Sequence, residues 1–151
     1  MRIALYQPDI PQNTGTLLRL AACLGLGVDI IEPCGFILSD RRMRRAGMDY
    51  LDAVEMQRHS SWQAFQKTLI NKRLILLSPH AQGFYHNFEF HEQDIIMVGQ
   101  ESIGVPPQIY AATDVQLQIP MQKNYRSLNV ALATAMVVGE ALRQTNGFNI
   151  N

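Results

Sequence analysis

Four arginines stand within five positions, at Arg41, Arg42, Arg44 and Arg45. The i, i+3, i+4 spacing of Arg41, Arg44 and Arg45 puts three guanidinium groups on one helical face. A guanidinium is a permanently charged planar fork that matches phosphate oxygens. The patch therefore points to a polyanion such as RNA, bound with strong salt dependence. A second candidate is Gly99-Gln100-Glu101-Ser102-Ile103-Gly104-Val105-Pro106. Its glycines let the backbone approach a ligand closely, and Glu101 adds a carboxylate able to pair with an arginine or a ligand amine. The same turn is also explained as a tight strand-to-helix connection capped by Ser102. A third segment, Ile119–Asn129, ends in Ser127, Leu128 and Asn129. Helix-end amides and short polar side chains there suit a carboxylate or the polar edge of adenine, although Ser127 serves equally as a plain N-cap. A fourth, Pro11-Gln12-Asn13-Thr14-Gly15, leads into a helix carrying Arg19, another cation for phosphate or a polar RNA edge.

The elements that must position these residues alternate along the chain. Arg2–Tyr6 reads as a short strand ended by Pro8 and Pro11. Leu17, Leu18, Leu20, Ala21 and Leu24 recur with helical spacing over 13–24, with Asn13 or Thr14 as N-cap and Gly25 as the stop. Val28–Glu32 is the second strand, and the arginines lie on a short helix begun near Ser39 or Asp40. A weaker strand is expected at Ala53–Met56, then a helix capped by Ser60 or Ser61 and running to about Asn71. Leu74–Ser78 and Ile95–Gly99 are apolar throughout or nearly so, as in strands buried on both faces. Pro106 or Pro107 starts a short helix through Ala112. Val115–Ile119 is the last strand, and Ser127 opens a helix to about Gln144. Pro79–Gln93 reads as an irregular surface excursion. The alternation predicts an α/β fold, a mainly parallel sheet with helices on both faces, in one domain spanning residues 1–151.

Composition excludes several classes. With 47% hydrophobic and 17% charged residues, the 151-residue chain is a folded one rather than a disordered one. No apolar run reaches the roughly 20 residues that cross a bilayer, and Gln7, Pro8 and Asp9 interrupt any signal-peptide pattern at the start. Cys23 and Cys34 lack CxxC spacing and read as buried free thiols in a reducing cytoplasm. His59, His80, His86 and His91 lack metal-ligand spacing, so no metal is expected. Gly25-Leu26-Gly27 ends a helix and precedes a strand, the reverse of a dinucleotide turn. Gly99 and Gly104 have P-loop spacing, but Val105-Pro106 stands where Lys and Ser/Thr are needed.

Taken in order, Pro11-x-Asn13-x-Gly15-x-x-x-Arg19, Gly99-x-Glu101-Ser102-x-Gly104-Val105-Pro106 and Ser127-Leu128-Asn129-Val130 resemble the three motifs of the SPOUT superfamily of knotted RNA methyltransferases. The short chain, with Ile31-Glu32-Pro33-Cys34-Gly35-Phe36 and Arg44-Arg45-Ala46-Gly47-Met48-Asp49-Tyr50, is most similar to the TrmL (YibK-like) group. The resemblance implies a C-terminal deep trefoil knot, a homodimer, and S-adenosyl-L-methionine as methyl donor, with S-adenosyl-L-homocysteine as product. It implies transfer RNA as partner and 2′-O-methylation of the wobble nucleotide 34, a cytidine or modified uridine. Cofactor contacts carried over by motif are Leu77, Gly99, Ile119 and Ser127, with Glu101, Leu128 and Asn129 nearby.

The catalytic set implied is Arg19, Asn13 and Glu101, and the RNA-binding set is Arg19, Arg41, Arg42, Arg44, Arg45 and Arg126. Arg19 is the residue implied to activate the 2′-hydroxyl. A guanidinium is almost never deprotonated, so orienting the hydroxyl or stabilising developing negative charge suits it better than acting as a base. Glu101 is a candidate to hold that arginine, including across a dimer. Gln100 and Gly139 depart from residues common in the group. Two alternatives stand beside this reading: a ribosomal RNA 2′-O-methyltransferase, and a catalytically inactive RNA-binding module of the same fold.

Overall fold

The computed structural model describes residues 1–45 and 50–148. Its frame follows from the apolar runs. Strands β1 (Arg2–Tyr6), β4 (Leu74–Leu77) and β6 (Ile95–Val98) are almost wholly apolar and form the centre of a seven-stranded sheet. The others are β2 (Gly27–Ile31), β3 (Met56–His59), β5 (Gly83–Phe84) and β7 (Val115–Gln118), giving the order β3-β2-β1-β6-β4-β7-β5 with every pairing parallel. The helices are α1 (Pro11–Leu24), α2 (Asp40–Arg45), α3 (Trp62–Gln66), α4 (Pro107–Ala111) and α5 (Val130–Gln144).

Side chains alternate across the sheet, which divides the core in two. Ile3, Leu5, Ile75, Ile96 and Val98 pack with Leu17, Leu18 and Ala21 of α1 and Val137, Val138 and Ala141 of α5. Ala4, Tyr6, Leu74, Leu76, Ile95 and Met97 pack on the other face with Trp62, Phe65 and Ile109 of α3 and α4. Helices on both faces of a parallel sheet are thus present as expected.

Several boundaries differ, for identifiable reasons. Helix α1 starts at Pro11, not Asn13, because proline is pre-organised for the first turn. Its N-cap residue, Ile10, makes no side-chain cap. Gly25 ends it in the left-handed region at φ 67°. The edge strand β3 lies at Met56–His59, beyond the expected Ala53–Met56, of which Ala53 ends a 3-10 turn and only Met56 is in the strand. Ser61 caps α3, but the helix stops at Gln66. The stretch expected to be a surface excursion contributes β5 beside β7 and two buried residues, Ala81 and Phe90.

Cys23 is exposed rather than buried, and Cys34 is half-buried. Burial, with Glu32 adding to it, pushes the Cys34 thiol up to about 11. Little of it is thiolate at neutral pH. Cys34 is therefore expected to react with Ellman's reagent at pH 8 at least about 100-fold more slowly in the folded chain than in urea, as read by peptide mapping.

One ion pair anchors the sheet at the amino end of β6. Asp94 is 1% exposed and accepts from Arg73 Nε (2.8 Å), Arg73 Nη2 (2.7 Å) and the His91 amide (2.7 Å). Asp94→Ala removes the carboxylate from the guanidinium, which keeps its bond to the Glu89 carbonyl (3.0 Å), and takes the acceptor from the His91 amide. Because Arg73 keeps partial access to water, the expected loss is about 2–3 kcal/mol in urea unfolding rather than the larger cost of a fully buried pair.

Candidate active site

The strand order changes direction between β1 and β6. The chain runs outward from β1 through β2 to β3, then crosses to β4 and returns with β6 beside β1. In open α/β sheets, crevices for ligands form outside the carboxyl ends of the strands at such a point. Here two loops meet there, residues 7–10 after β1 and residues 99–106 after β6.

The second loop is a tight reversal. Gln100 N donates to Gly104 O (3.0 Å) and Gly104 N donates to Gln100 O (2.8 Å). Gly104 has φ 70°, a conformation that suits glycine. A Cβ on Gly99 would stand 2.6 Å from the Gly104 carbonyl carbon, so the backbones cross where no side chain fits.

Beside this loop, a cleft of about 770 Å³ lies over the carboxyl ends of β4, β6 and β7. Leu77, Gly99, Gln118 and Ile119 belong to its strand-end side, Glu101 and Ser102 to the reversal, and Arg126, Ser127, Leu128 and Asn129 to the segment entering α5. Its size falls in the range of small-molecule sites, roughly 300–1,000 Å³. Every residue expected to hold the cofactor lines it.

A chain of hydrogen bonds joins the three motif segments at the cleft's edge. Asp9 N donates to Glu101 Oε2 (2.9 Å), and Asn13 Nδ2 donates to Glu101 Oε1 (3.4 Å). Asn129 Nδ2 donates to Asn13 Oδ1 (2.9 Å), and Asn129 Oδ1 accepts from the Ala131 (2.9 Å) and Leu132 (3.3 Å) amides. The N-cap of α5 is therefore Asn129, not Ser127. Ser127 is exposed on the cleft, and its hydroxyl is not spent on the helix end. Asn13 likewise spends its side chain on Glu101 and Asn129 instead of capping α1.

Burial and the neighbouring Asp9 carboxylate raise Glu101 above the usual carboxylate range. Hydrogen bonding with Glu101 and Ser102 holds Asp9 below it. The signs oppose. Stability from the raised Glu101 is present below its unfolded pKa and lost as pH rises through the folded value. Stability from the depressed Asp9 is present above its unfolded pKa and lost as pH falls through the folded value.

The arginines distribute differently. Arg126 borders the cleft. Arg19 does not: six residues beyond Asn13, it lies about 9 Å further along α1 and about 240° around it. It is exposed, with Cζ 5.1 Å from the Tyr50 ring centroid, a cation–π contact. Glu101 is occupied by Asp9 and Asn13. On α2, Arg41 and Arg42 are exposed, while Arg44 makes a two-pronged pair with Asp52 (2.6 and 3.1 Å). The Arg45 side chain and residues Ala46–Asp49, which carry part of the group resemblance, lie outside the described residues.

Sequence reasoning passed over Asp9. The available signal was an acidic residue between Pro8 and Pro11, directly after the first strand.

Comparison with known proteins adds the following. The SpoU rRNA Methylase family pattern matches residues 1–139. A tRNA (cytidine(34)-2'-O)-methyltransferase of Beijerinckia indica subsp. indica is 56% identical over 144 residues, covering 94% of this chain and 90% of its own. One from Escherichia coli K12 is 38% identical over 146 residues, covering 95% and 93%. A solved structure concerned with 2-OH methylation of C/U34 on tRNA has TM-score 0.87 and 39% identity, covering 95% of this chain and 89% of its own.

Proposed function

Because the chain belongs to the SpoU rRNA Methylase family, we propose that it is an S-adenosyl-L-methionine-dependent tRNA (cytidine(34)-2′-O)-methyltransferase acting on the ribose of the wobble nucleotide. The observation that carries this is the convergence of all three motif segments on one cleft, tied together through Glu101, Asn13 and Asn129. The identity and near-complete coverage of the named relatives support the choice of transfer RNA.

The cleft suits the methyl donor. Leu77, Ile119 and Leu128 offer apolar surface for an adenosine, and the ends of three strands offer backbone polar groups for its edges. Gly99, Ser127 and Asn129 would complete the holding set, with Glu101 close by. When bound, S-adenosyl-L-methionine supplies a methyl group on a sulfonium, an electrophile that needs no metal, and leaves S-adenosyl-L-homocysteine. What the chain must supply is alignment of the ribose oxygen and management of its proton. Asn13 and Glu101 form a fixed polar edge toward that position. Arg19 orients the 2′-hydroxyl or stabilises the charge developing on it.

Arg19 lies away from the cleft of its own chain, so we read the enzyme as a homodimer in which it faces the partner's cleft. Leu132 and Met136, one turn apart on α5, are 61% and 43% exposed. They offer an apolar surface suited to such an interface. Family membership supports a deep trefoil knot formed by the segment leading into α5, and a cytoplasmic setting follows from a transfer RNA substrate. Arg41, Arg42, Arg44, Arg45 and Arg126 are the RNA contacts in this reading.

The test supplies labelled S-adenosyl-L-methionine with total transfer RNA and, separately, ribosomal RNA, then maps the labelled nucleotide by mass spectrometry. Label at nucleotide 34 of transfer RNA is expected. Label only in ribosomal RNA would replace the substrate. RNA binding without label or donor binding would identify an inactive RNA-binding module.

A further inference from the structure

We infer that Asp9 is a positioning residue for this reaction: it clasps the Gly99–Pro106 loop and so aims the Glu101 carboxylate at Asn13 and the cleft. The contact is reciprocal. Asp9 Oδ1 accepts from Glu101 N (3.1 Å), Asp9 Oδ2 accepts from the Ser102 hydroxyl, and Asp9 N donates to Glu101 Oε2 (2.9 Å). One residue thus holds the backbone, the neighbouring hydroxyl and the carboxylate of a loop 92 positions away. With Oε2 taken by the Asp9 amide, Oε1 is left to Asn13, which passes the constraint to Asn129 and the start of α5.

Asp9 is itself set from below. Gly35 N donates to Pro8 O (2.9 Å), and a Cβ on Gly35 would stand 2.7 Å from Asp9 Cβ and 2.9 Å from its Cα. The loop after β2 therefore packs directly under Asp9, where only a glycine fits without displacement. Three loops from three adjacent strands, β2, β1 and β6, meet at this carboxylate. A charged acceptor serving two donors is stronger than a neutral one, and among the described residues no other hydrogen bond holds the Glu101 amide.

Asp9 does not itself line the cleft and reaches its lining only through Glu101 and Ser102, so its effect runs through that loop. The inference rests on the methyltransferase reading for its kinetic consequence, but the clasp is measurable without it. In Asp9→Ala, amide hydrogen exchange at Glu101 and Gly104 is expected to quicken at least about 10-fold, while the β6 amides keep their rates. Asp9→Asn keeps an oxygen for the Glu101 amide and is expected to stay within about 3-fold of the parent.

With transfer RNA, Asp9→Ala is expected to lower kcat about 30-fold, with KM for transfer RNA within about 2-fold and restoration mainly by Asn. Ser102→Ala, which removes one donor, is expected to cost about 3-fold. Unchanged exchange at Glu101 in Asp9→Ala overturns the clasp, whatever the enzyme's substrate. Quickened exchange with kcat unchanged in an active enzyme overturns the positioning role. A parent that transfers no methyl group refutes the methyltransferase reading and the kinetic role together, and leaves exchange as the test of the clasp.

Discussion

Arg19→Ala is expected to lower methyl transfer to transfer RNA by about a hundred- to a thousandfold, the range for removing a group that stabilises charge in a transition state. S-adenosyl-L-homocysteine binding by calorimetry is expected to stay within about twofold, because Arg19 does not line the cleft. Arg19→Lys is expected to recover little. A compact ammonium lacks the planar fork and stacks less well on the Tyr50 ring, which lies 5.1 Å from the guanidinium carbon. A mixed dimer gives the sharper result. In the proposed homodimer, subunits carrying Arg19→Ala paired with subunits carrying Asn129→Ala would place one intact Arg19 opposite one intact cleft. Activity restored on mixing establishes that the site spans the interface. Its absence, with mixed dimers demonstrated by mass spectrometry, places Arg19 and its cleft in the same chain.

Gly99→Ala acts on the other half of the site. The added methyl would meet Gly104 backbone atoms at 2.6–2.9 Å. Backbone cannot swing aside as a flexible side chain can, so the reversal must open and its paired hydrogen bonds lengthen. Overpacking of this kind costs about 1–3 kcal/mol, a fall in thermal midpoint of roughly 2–4 °C per kcal/mol for a chain of this size. Affinity for S-adenosyl-L-homocysteine is expected to fall about 100-fold, since the opened loop borders the cleft. Gly104→Ala is the instructive comparison. Its Cβ would meet nothing within 4 Å, and the cost is the left-handed φ of 70° alone, about 1–2 kcal/mol. Gly99→Ala binding within about threefold of the parent would show that the loop does not shape the donor site.

The central strands were legible because their residues are apolar on both faces: β1, β4 and β6 lie within a residue of where their runs place them. β3 was not, because Met-Gln-Arg-His at a sheet edge carries no apolar pattern, and Ala53–Met56 mimics one. β5 pairs only two residues, too few for any periodicity. In the site, glycine spacing pointed to the turn and the motif residues to the cleft. The capping assignments at Asn13 and Ser127 both failed, the second because Asn129, two positions on, caps α5 instead. A short polar side chain near a helix start has several acceptors or donors open to it, and distant residues took Asn13. Asp9 was invisible because its partners lie on a loop that only the sheet order brings beside it. Local pattern reports which face is apolar; it carries no record of which loop ends adjoin.

The link between Asn13 and Asn129 joins residues 116 positions apart, and this has a consequence for the newborn protein. A ribosome adds about 5–20 residues per second, so on the order of ten seconds separates synthesis of the two asparagines. For most of that interval the arginine-bearing α2 is already made, while the final partner of the cleft is not. In the proposed function, a nascent or prematurely terminated chain would therefore carry the charge meant for RNA without the completed cleft. Such distant pairings also slow folding, so the cleft is among the last parts of the molecule to come into being.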